Sequence, residues 1–215
     1  MAQEEKKEEM TLSDFLDAVA AGTATPGGGS VSALVGSLGA ALLEMVVSLT
    51  LGKKGFEGLE TEIRKIGEEA HSYREALSAT VAQDIQAYQA VMGAYLMPKT
   101  TEEEKKKRRG EIQRALRRAA DPPLFTAATS LKLLKLCQKA VEKGSPNAVT
   151  DAAVGALLAD AALHGGVLNA LTNLSALENE ETVQKMKKEL KRLEQEGSQT
   201  KEKILGRVKE KLYSE

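Results

Sequence analysis

Two stretches, residues 31–51 and 148–176, are built almost wholly of Ala, Gly, Ser, Leu and Val, and they constrain the fold more than any other feature of the chain. Each is long and apolar enough to cross a bilayer, yet each carries charge where lipid would penalise it. Glu44 stands inside the first, and Asp151, Asp160 and His164 stand inside the second. Both therefore read as buried helices whose small residues, at Ala33, Ser37, Ala40, Gly155, Gly165 and Gly166, let backbones approach closely. No stretch alternates apolar and polar residues as a half-buried strand does, and long helical periods dominate elsewhere. The pattern predicts an all-α bundle of about six long helices around two central, small-residue-rich ones. One thin bundle cannot bury two helices that lack a polar face, so the surplus apolar surface predicts self-association as a homodimer.

Punctuation along the chain refines this picture. Residues 1–10 read as a charged tail and 11–215 as one helical domain. A short helix runs from Thr11 to about Ala20, and glycines break the chain again at residues 52–55. A very long helix is expected over residues 57–96, then a charged one from Thr100 or Thr101 to Asp121. Pro122-Pro123 should break or kink that helix before it resumes to Lys143. Gly144-Ser145-Pro146-Asn147 is turn chemistry, and the last helix is expected to loosen near Gly197.

Bulk chemistry excludes several functions. The chain has 30 basic and 31 acidic residues among 215, a formal net charge of −1, so nothing draws it to nucleic acid or a membrane surface. Aromatics are 3% and Trp is absent, which argues against platforms for stacking bases. The lone Cys137 fits a reducing compartment, and a cytoplasmic location is expected. His71 and His164 do not share ligand spacing with it, so neither a metal site nor a redox cofactor is expected. Cys137 itself, in a Leu/Lys amphipathic helix, reads as a packed thiol. His71 reads as a surface residue, and Lys105-Lys106-Lys107-Arg108-Arg109 after three glutamates reads as a solvated, paired helix face.

Three features point to a site. The run Thr25-Pro26-Gly27-Gly28-Gly29-Ser30 frees the backbone for positive φ and leads into a helix N-terminus, where orphan N–H groups favour an anion. Next, Ile66, Ala70, Tyr73, Leu77, Thr80, Asp84, Tyr88, Val91 and Tyr95 follow at steps of three or four and share one stripe. Asp84 stands in its middle, where a core helix carries Leu or Ala. Such a carboxyl is either a structural group satisfied by an Arg or the backbone, or an acid with a raised pKa suited to general acid/base work. Both readings stand on spacing alone. Finally, Asp151, Gly155, Asn169 and Asn173 project within one quadrant of the second apolar helix. Asp151 and Asn169 are ~27 Å apart, so they serve the two ends of a long ligand, sites on different subunits, or helix packing. Lys53-Lys54, between glycines, is either an anion contact or a solvated loop.

In collinear order, these motifs resemble the formiminotransferase-cyclodeaminase C-terminal domain family, which includes free-standing methenyltetrahydrofolate cyclohydrolases. The carriers are Thr25–Ser30, Leu49-Thr50-Leu51-Gly52-Lys53-Lys54, Asp84 with Tyr88-Gln89-Ala90-Val91-Met92, and Leu96-Met97-Pro98-Lys99-Thr100-Thr101-Glu102-Glu103-Glu104-Lys105. Asn147-Ala148-Val149-Thr150-Asp151 and Leu168-Asn169-Ala170-Leu171-Thr172-Asn173 complete the set. The resemblance implies a helical homodimer acting on tetrahydrofolate derivatives, possible polyglutamylation of the substrate included, with no cofactor. Asp84 would be the catalytic carboxyl, and Gly27, Gly28, Gly29, Ser30, Lys53, Lys54, Asp151, Asn169 and Asn173 would bind substrate. Hydrolysis of the methenyl bridge is the favoured reaction, and formimino cyclodeamination with release of ammonia is the alternative. Departures from the family pattern are mild: Gly55 replaces a third basic residue, Asn169-Ala170 an Asn-Val pair, and Thr150-Asp151 a Ser-Asp pair. A non-catalytic helical partner protein is the rival of another class, and Asp84 beside the glycine loop and Lys53-Lys54 speaks against it.

Overall fold

The computed structural model describes residues 10–213, and the expected charged tail lies outside them except for the exposed Met10. Seven α-helices follow in order: α1 (Leu12–Ala20), α2 (Gly28–Ser48), α3 (Glu60–Tyr95), α4 (Glu102–Ala119), α5 (Asp121–Lys143), α6 (Val149–Leu174) and α7 (Glu180–Tyr213). A single 3-10 turn, Pro146–Ala148, joins α5 to α6. Six of the seven are long, as the periodicity predicts, and no strand occurs among the described residues.

Local chemistry sets the helix starts. Thr11 and Asp14 form a capping box on α1, and Thr101 and Glu104 form another on α4. Pro122-Pro123 does not kink a continuous helix. The two prolines occupy the first turn of α5, where missing N–H groups cost nothing, so α4 ends at Ala119 and a new helix begins. The C-terminal helix is unbroken at Gly197, contrary to expectation. A Cβ there would sit 2.6 Å from Leu163 Cδ1, so this glycine serves close packing of α7 on α6.

Helices α2, α5 and α6 form the centre, with α3 against α2 and α7 against α5 and α6. The crossing of α2 and α6 brings their backbones into close approach. A Cβ on Gly39 would meet the Gly155 carbonyl oxygen at 2.9 Å, and one on Gly155 would meet the Gly39 oxygen at 3.1 Å. Leu43, Leu133, Leu134, Leu163 and Ile204 are fully buried around it. Glu44 inside α2 is neutralised by Arg74, whose Nε lies 2.6 Å away, with His71 Nδ1 at 3.2 Å.

The two apolar helices are central on one side only. In the most apolar 18-residue window of each, 56% of the first and 44% of the second is buried. Leu38, Met45 and Leu49 on α2 or its end, with Val154, Leu157 and Leu168 on α6, remain exposed. By length and composition both helices could cross a membrane, but the charged pairing of Glu44 and the buried faces are those of packed core helices.

Candidate active site

Thr25-Pro26-Gly27 carries the chain into α2 through a cis Thr25–Pro26 peptide, and Gly27, in extended backbone, is the residue before the first turn. No glycine of the triplet has positive φ; that conformation occurs at Gly22, Gly52 and Gly55. The triplet is needed instead for close approach of side chains. A Cβ on Gly29 would lie on Asp84 Oδ1 and 2.6 Å from its Cγ, and one on Gly28 would meet Asn169 Nδ2 at 3.1 Å. Bare backbone at the start of α2 thus receives a carboxyl group from α3 and an amide from α6.

The stripe on α3 is buried at Ile66, Ala70, Leu77 and Thr80 and again at Val91, with Asp84 between. Asp84 is half-buried, while Tyr88 and Tyr95 turn outward at 37% and 42% exposure, not into the core as the spacing suggested. The fully buried Ser30 donates its hydroxyl to Asp84 Oδ2 at 2.8 Å. Burial pushes the Asp84 carboxyl above its ordinary pKa of 3.8, and the Ser30 hydroxyl and N–H only partly offset this. A carboxylate placed here merely to cap α2 would be held low. Desolvation wins instead.

A cavity of about 280 Å³ opens in front of this group. Gly27, Gly28, Gly29, Asp84, Tyr88, Asn169, Thr172 and Asn173 line it, with Ala119 from the end of α4. Asn169 donates Nδ2–H to the Gly165 carbonyl at 2.8 Å, and Asn173 donates to the Ala119 carbonyl at 2.7 Å. The Asn oxygens accept from no donor among the described residues. Eighteen residues apart from Asn169, Asp151 sits in the first turn of α6, at the other end of the molecule.

Lys53 and Lys54 lie at that far end too. They follow the C-terminus of α2, whereas Asp84 faces its N-terminus, and 21 residues of helix separate the two by ~30 Å. Lys53 Nζ lies 3.2 Å from Ser145 Oγ, and the Ser145 N–H donates to Thr50 Oγ1 at 3.1 Å, which ties this loop to the start of α6. Within one chain, therefore, Lys53, Lys54 and Asp151 form one group, and Asp84, Gly27, Gly28, Gly29, Ser30, Asn169 and Asn173 form another.

Cys137 and the basic run on α4 each have a definite place in the fold. Cys137 is fully buried and its thiol is pushed up to about 12, which makes it inert. The basic run on α4 is not only solvated: Arg108 caps the Tyr95 carbonyl at 2.9 Å and lies over its ring, and Arg109 grips Glu178. No cluster of His, Cys, Asp and Glu able to hold a metal ion occurs among the described residues. The contribution of α4 to the cavity was missed; its Ile112, Leu116 and Ala119, at steps of four and three, carry the signal that this face is buried.

The chain is similar to known proteins over nearly its whole length. The family model described as formiminotransferase-cyclodeaminase matches residues 11–192. A methenyltetrahydrofolate cyclohydrolase of Methylorubrum extorquens is 38% identical over 202 residues, 94% of this chain and 97% of that protein. The formimidoyltransferase-cyclodeaminase of Rattus norvegicus is 32% identical over 196 residues, which span 91% of this chain but 36% of the longer rat protein. The crystal structure of formiminotetrahydrofolate cyclodeaminase from Thermotoga maritima superposes with a TM-score of 0.80 at 33% identity, covering 96% of this chain and 98% of that one. With its fold and nearly its whole length matched, the chain belongs to the formiminotransferase-cyclodeaminase family, among relatives that are cyclohydrolase or cyclodeaminase enzymes.

Proposed function

We propose that this chain hydrolyses 5,10-methenyltetrahydrofolate to 10-formyltetrahydrofolate in the Asp84 cleft, with that carboxyl as general acid/base. The observation that carries the reading is a half-buried carboxyl with a raised pKa, facing a cavity at the N-terminus of α2. Ser30 occupies Oδ2, which leaves Oδ1 to handle the proton. In the first step Oδ1 takes a proton from water as its oxygen bonds to the methenyl carbon. The resulting tetrahedral carbon then breaks its bond to N5, which receives the proton from Asp84. The new hydroxyl loses its own proton to solvent and becomes the formyl carbonyl, so one proton is released overall. A base stronger than an ordinary carboxylate serves the first step, and its conjugate acid serves the second. Asn169 and Asn173 accept hydrogen bonds from the N–H edge of the pterin.

Cyclodeamination is the second reading, favoured by the fold match to the Thermotoga enzyme. There N10 attacks the formimino carbon as its proton passes to the formimino nitrogen. Asp84 then gives that nitrogen its last proton as the bond to carbon breaks and ammonia leaves, so the same carboxyl suffices. The higher identity to the cyclohydrolase, 38% against 33% for the cyclodeaminase, weighs toward hydrolysis. Assay of the purified chain on both substrates decides: loss of methenyl absorbance should proceed with the larger kcat/KM. Faster release of ammonia from the formimino substrate would reverse the assignment.

Gly29→Ala tests the geometry without touching a titratable group. A methyl at this position displaces the Asp84 carboxyl from Ser30, and a shift of about 1 Å in a catalytic group is expected to cost ~10-fold or more in kcat. Circular dichroism should stay native. Full activity in the alanine variant would mean that the Ser30–Asp84 contact is not part of the working site.

A homodimer belongs to the same reading. The exposed apolar face shared by α2 and α6 runs from the Lys53 end to Leu168, one residue from Asn169. A two-fold axis across this face, with helices antiparallel, brings Lys53, Lys54 and Asp151 of one protomer to the Asp84 cleft of its partner. The parallel alternative would set the lysine pairs against each other.

A further inference from the structure

Beside the Asp84 cleft a second cleft of about 290 Å³ opens between the C-terminal half of α3 and α4. Ala87 lines both, so the two are continuous along one face of α3. Its floor is Ala87, Ala90 and Ala94, with Ala115 opposite, and its α4 wall carries Glu111, Arg114 and Arg118. Small apolar residues with cations on one edge fit a flat, uncharged body that ends in an anion. Most guanidiniums nearby are already engaged. Arg117 pairs with Asp121 at 2.5 Å, Arg114 with Glu111 at 2.6 Å, and Arg109 with Glu178. Arg118 has neither an ion pair nor a hydrogen bond among the described residues, and it precedes Ala119, which lines the Asp84 cleft.

We propose that this second cleft holds the benzoyl-glutamate arm of the substrate, with Arg118 as the receptor for its first carboxylate groups and Glu111 as a limit on longer tails. The inference rests on the folate reading above and adds residues that it does not require. Distances agree. Ala90 lies six residues beyond Asp84, ~9 Å along the helix axis. A para-substituted ring and one amide bond separate the reacting carbon of such a substrate from its first carboxylate, a span of about two helical turns. Arg118 stands at the near end of the α4 wall, and a guanidinium meets a carboxylate with two parallel N–H bonds. Further γ-linked glutamates would next reach Arg114, one helical turn away. That group is held by Glu111, whose own charge repels the incoming tail.

The test compares monoglutamyl and triglutamyl methenyltetrahydrofolate with the wild type and the Arg118→Ala, Arg118→Lys and Glu111→Gln variants. Arg118→Ala should raise KM about tenfold on both substrates with kcat unchanged, the signature of lost uniform binding. Arg118→Lys should recover part of that loss. Glu111→Gln should lower KM for the triglutamate severalfold more than for the monoglutamate. A merely structural role at the end of α4 would shift the melting temperature without splitting KM from kcat. An unchanged KM for both substrates in Arg118→Ala would overturn the proposal. Binding of p-aminobenzoyl-triglutamate, measured by calorimetry, separates this inference from the reaction. Should wild type turn over neither folate yet bind this probe about tenfold more tightly than Arg118→Ala, the arm site stands and the reaction assignment falls. Should wild type turn over folate while Arg118→Ala loses nothing in KM or in probe binding, the reaction assignment stands and the arm site falls.

Discussion

Replacing Asp84 by Asn is expected to lower turnover by at least ~100-fold while leaving folate affinity near native. The amide keeps the shape of the carboxyl and can still accept from Ser30, but it transfers no proton. Stability should move the other way. In the native state burial raises the Asp84 pKa above 3.8, so the folded protein disfavours the charged form. Below the unfolded-state pKa both states are protonated and the substitution changes little. As pH rises through the raised native pKa, the buried charge weakens the wild type and spares the variant. Asp84→Asn should therefore melt at or above the wild-type temperature at neutral pH, an advantage that fades in acid. The wild-type kcat/KM should also fall in acid with an apparent pKa above the ordinary carboxylate value. Near-native turnover in the variant would remove Asp84 from the mechanism, and a lower melting temperature at neutral pH would identify the carboxyl as structural.

Asp84 was legible because it breaks a periodic rule: one carboxyl on a stripe of Ile, Ala, Leu and Thr has to be explained. The helix count and the two small-residue helices were legible for the same reason, since spacing of three and four is local. What spacing cannot carry is which end of a helix a loop belongs to. Lys53 and Lys54 follow the C-terminus of α2 and Gly29 lies in its first turn, so they stand ~30 Å apart once α2 is straight. The role of the glycines was legible only in part. Their number suggested positive φ, but Gly28 and Gly29 are helical, and the demand on them comes from Asn169 and Asp84, which are distant in sequence. Arg118 gave no signal at all. It is one of many cations on a charged helix, and only the fold separates it from Arg114 and Arg117, whose partners are close in the chain.

Leu38→Glu combined with Leu157→Glu should convert a dimer into a monomer in light scattering at micromolar concentration. Leu38, Met45, Leu49, Val154, Leu157 and Leu168 are each roughly half exposed. Covering them on both protomers is worth on the order of 10 kcal/mol before the cost of association. Two unpaired carboxylates in each copy of that contact would cost several kcal/mol apiece, enough to undo it. The monomer should also lose activity, because Lys53, Lys54 and Asp151 would no longer reach the cleft of the partner. A mixing experiment isolates this point. Asp84→Asn chains lack the acid but keep the lysines, and Lys53→Ala/Lys54→Ala chains have the reverse defect. An antiparallel hybrid contains one cleft with Asp84 and both lysines intact, so at substrate concentrations below KM the mixture should regain activity over either parent. No gain from proven hybrids would return the lysines to their own chain. A wild type that is monomeric at micromolar concentration, or that leaves the membrane fraction only with detergent, would instead assign the apolar face of α2 and α6 to another purpose.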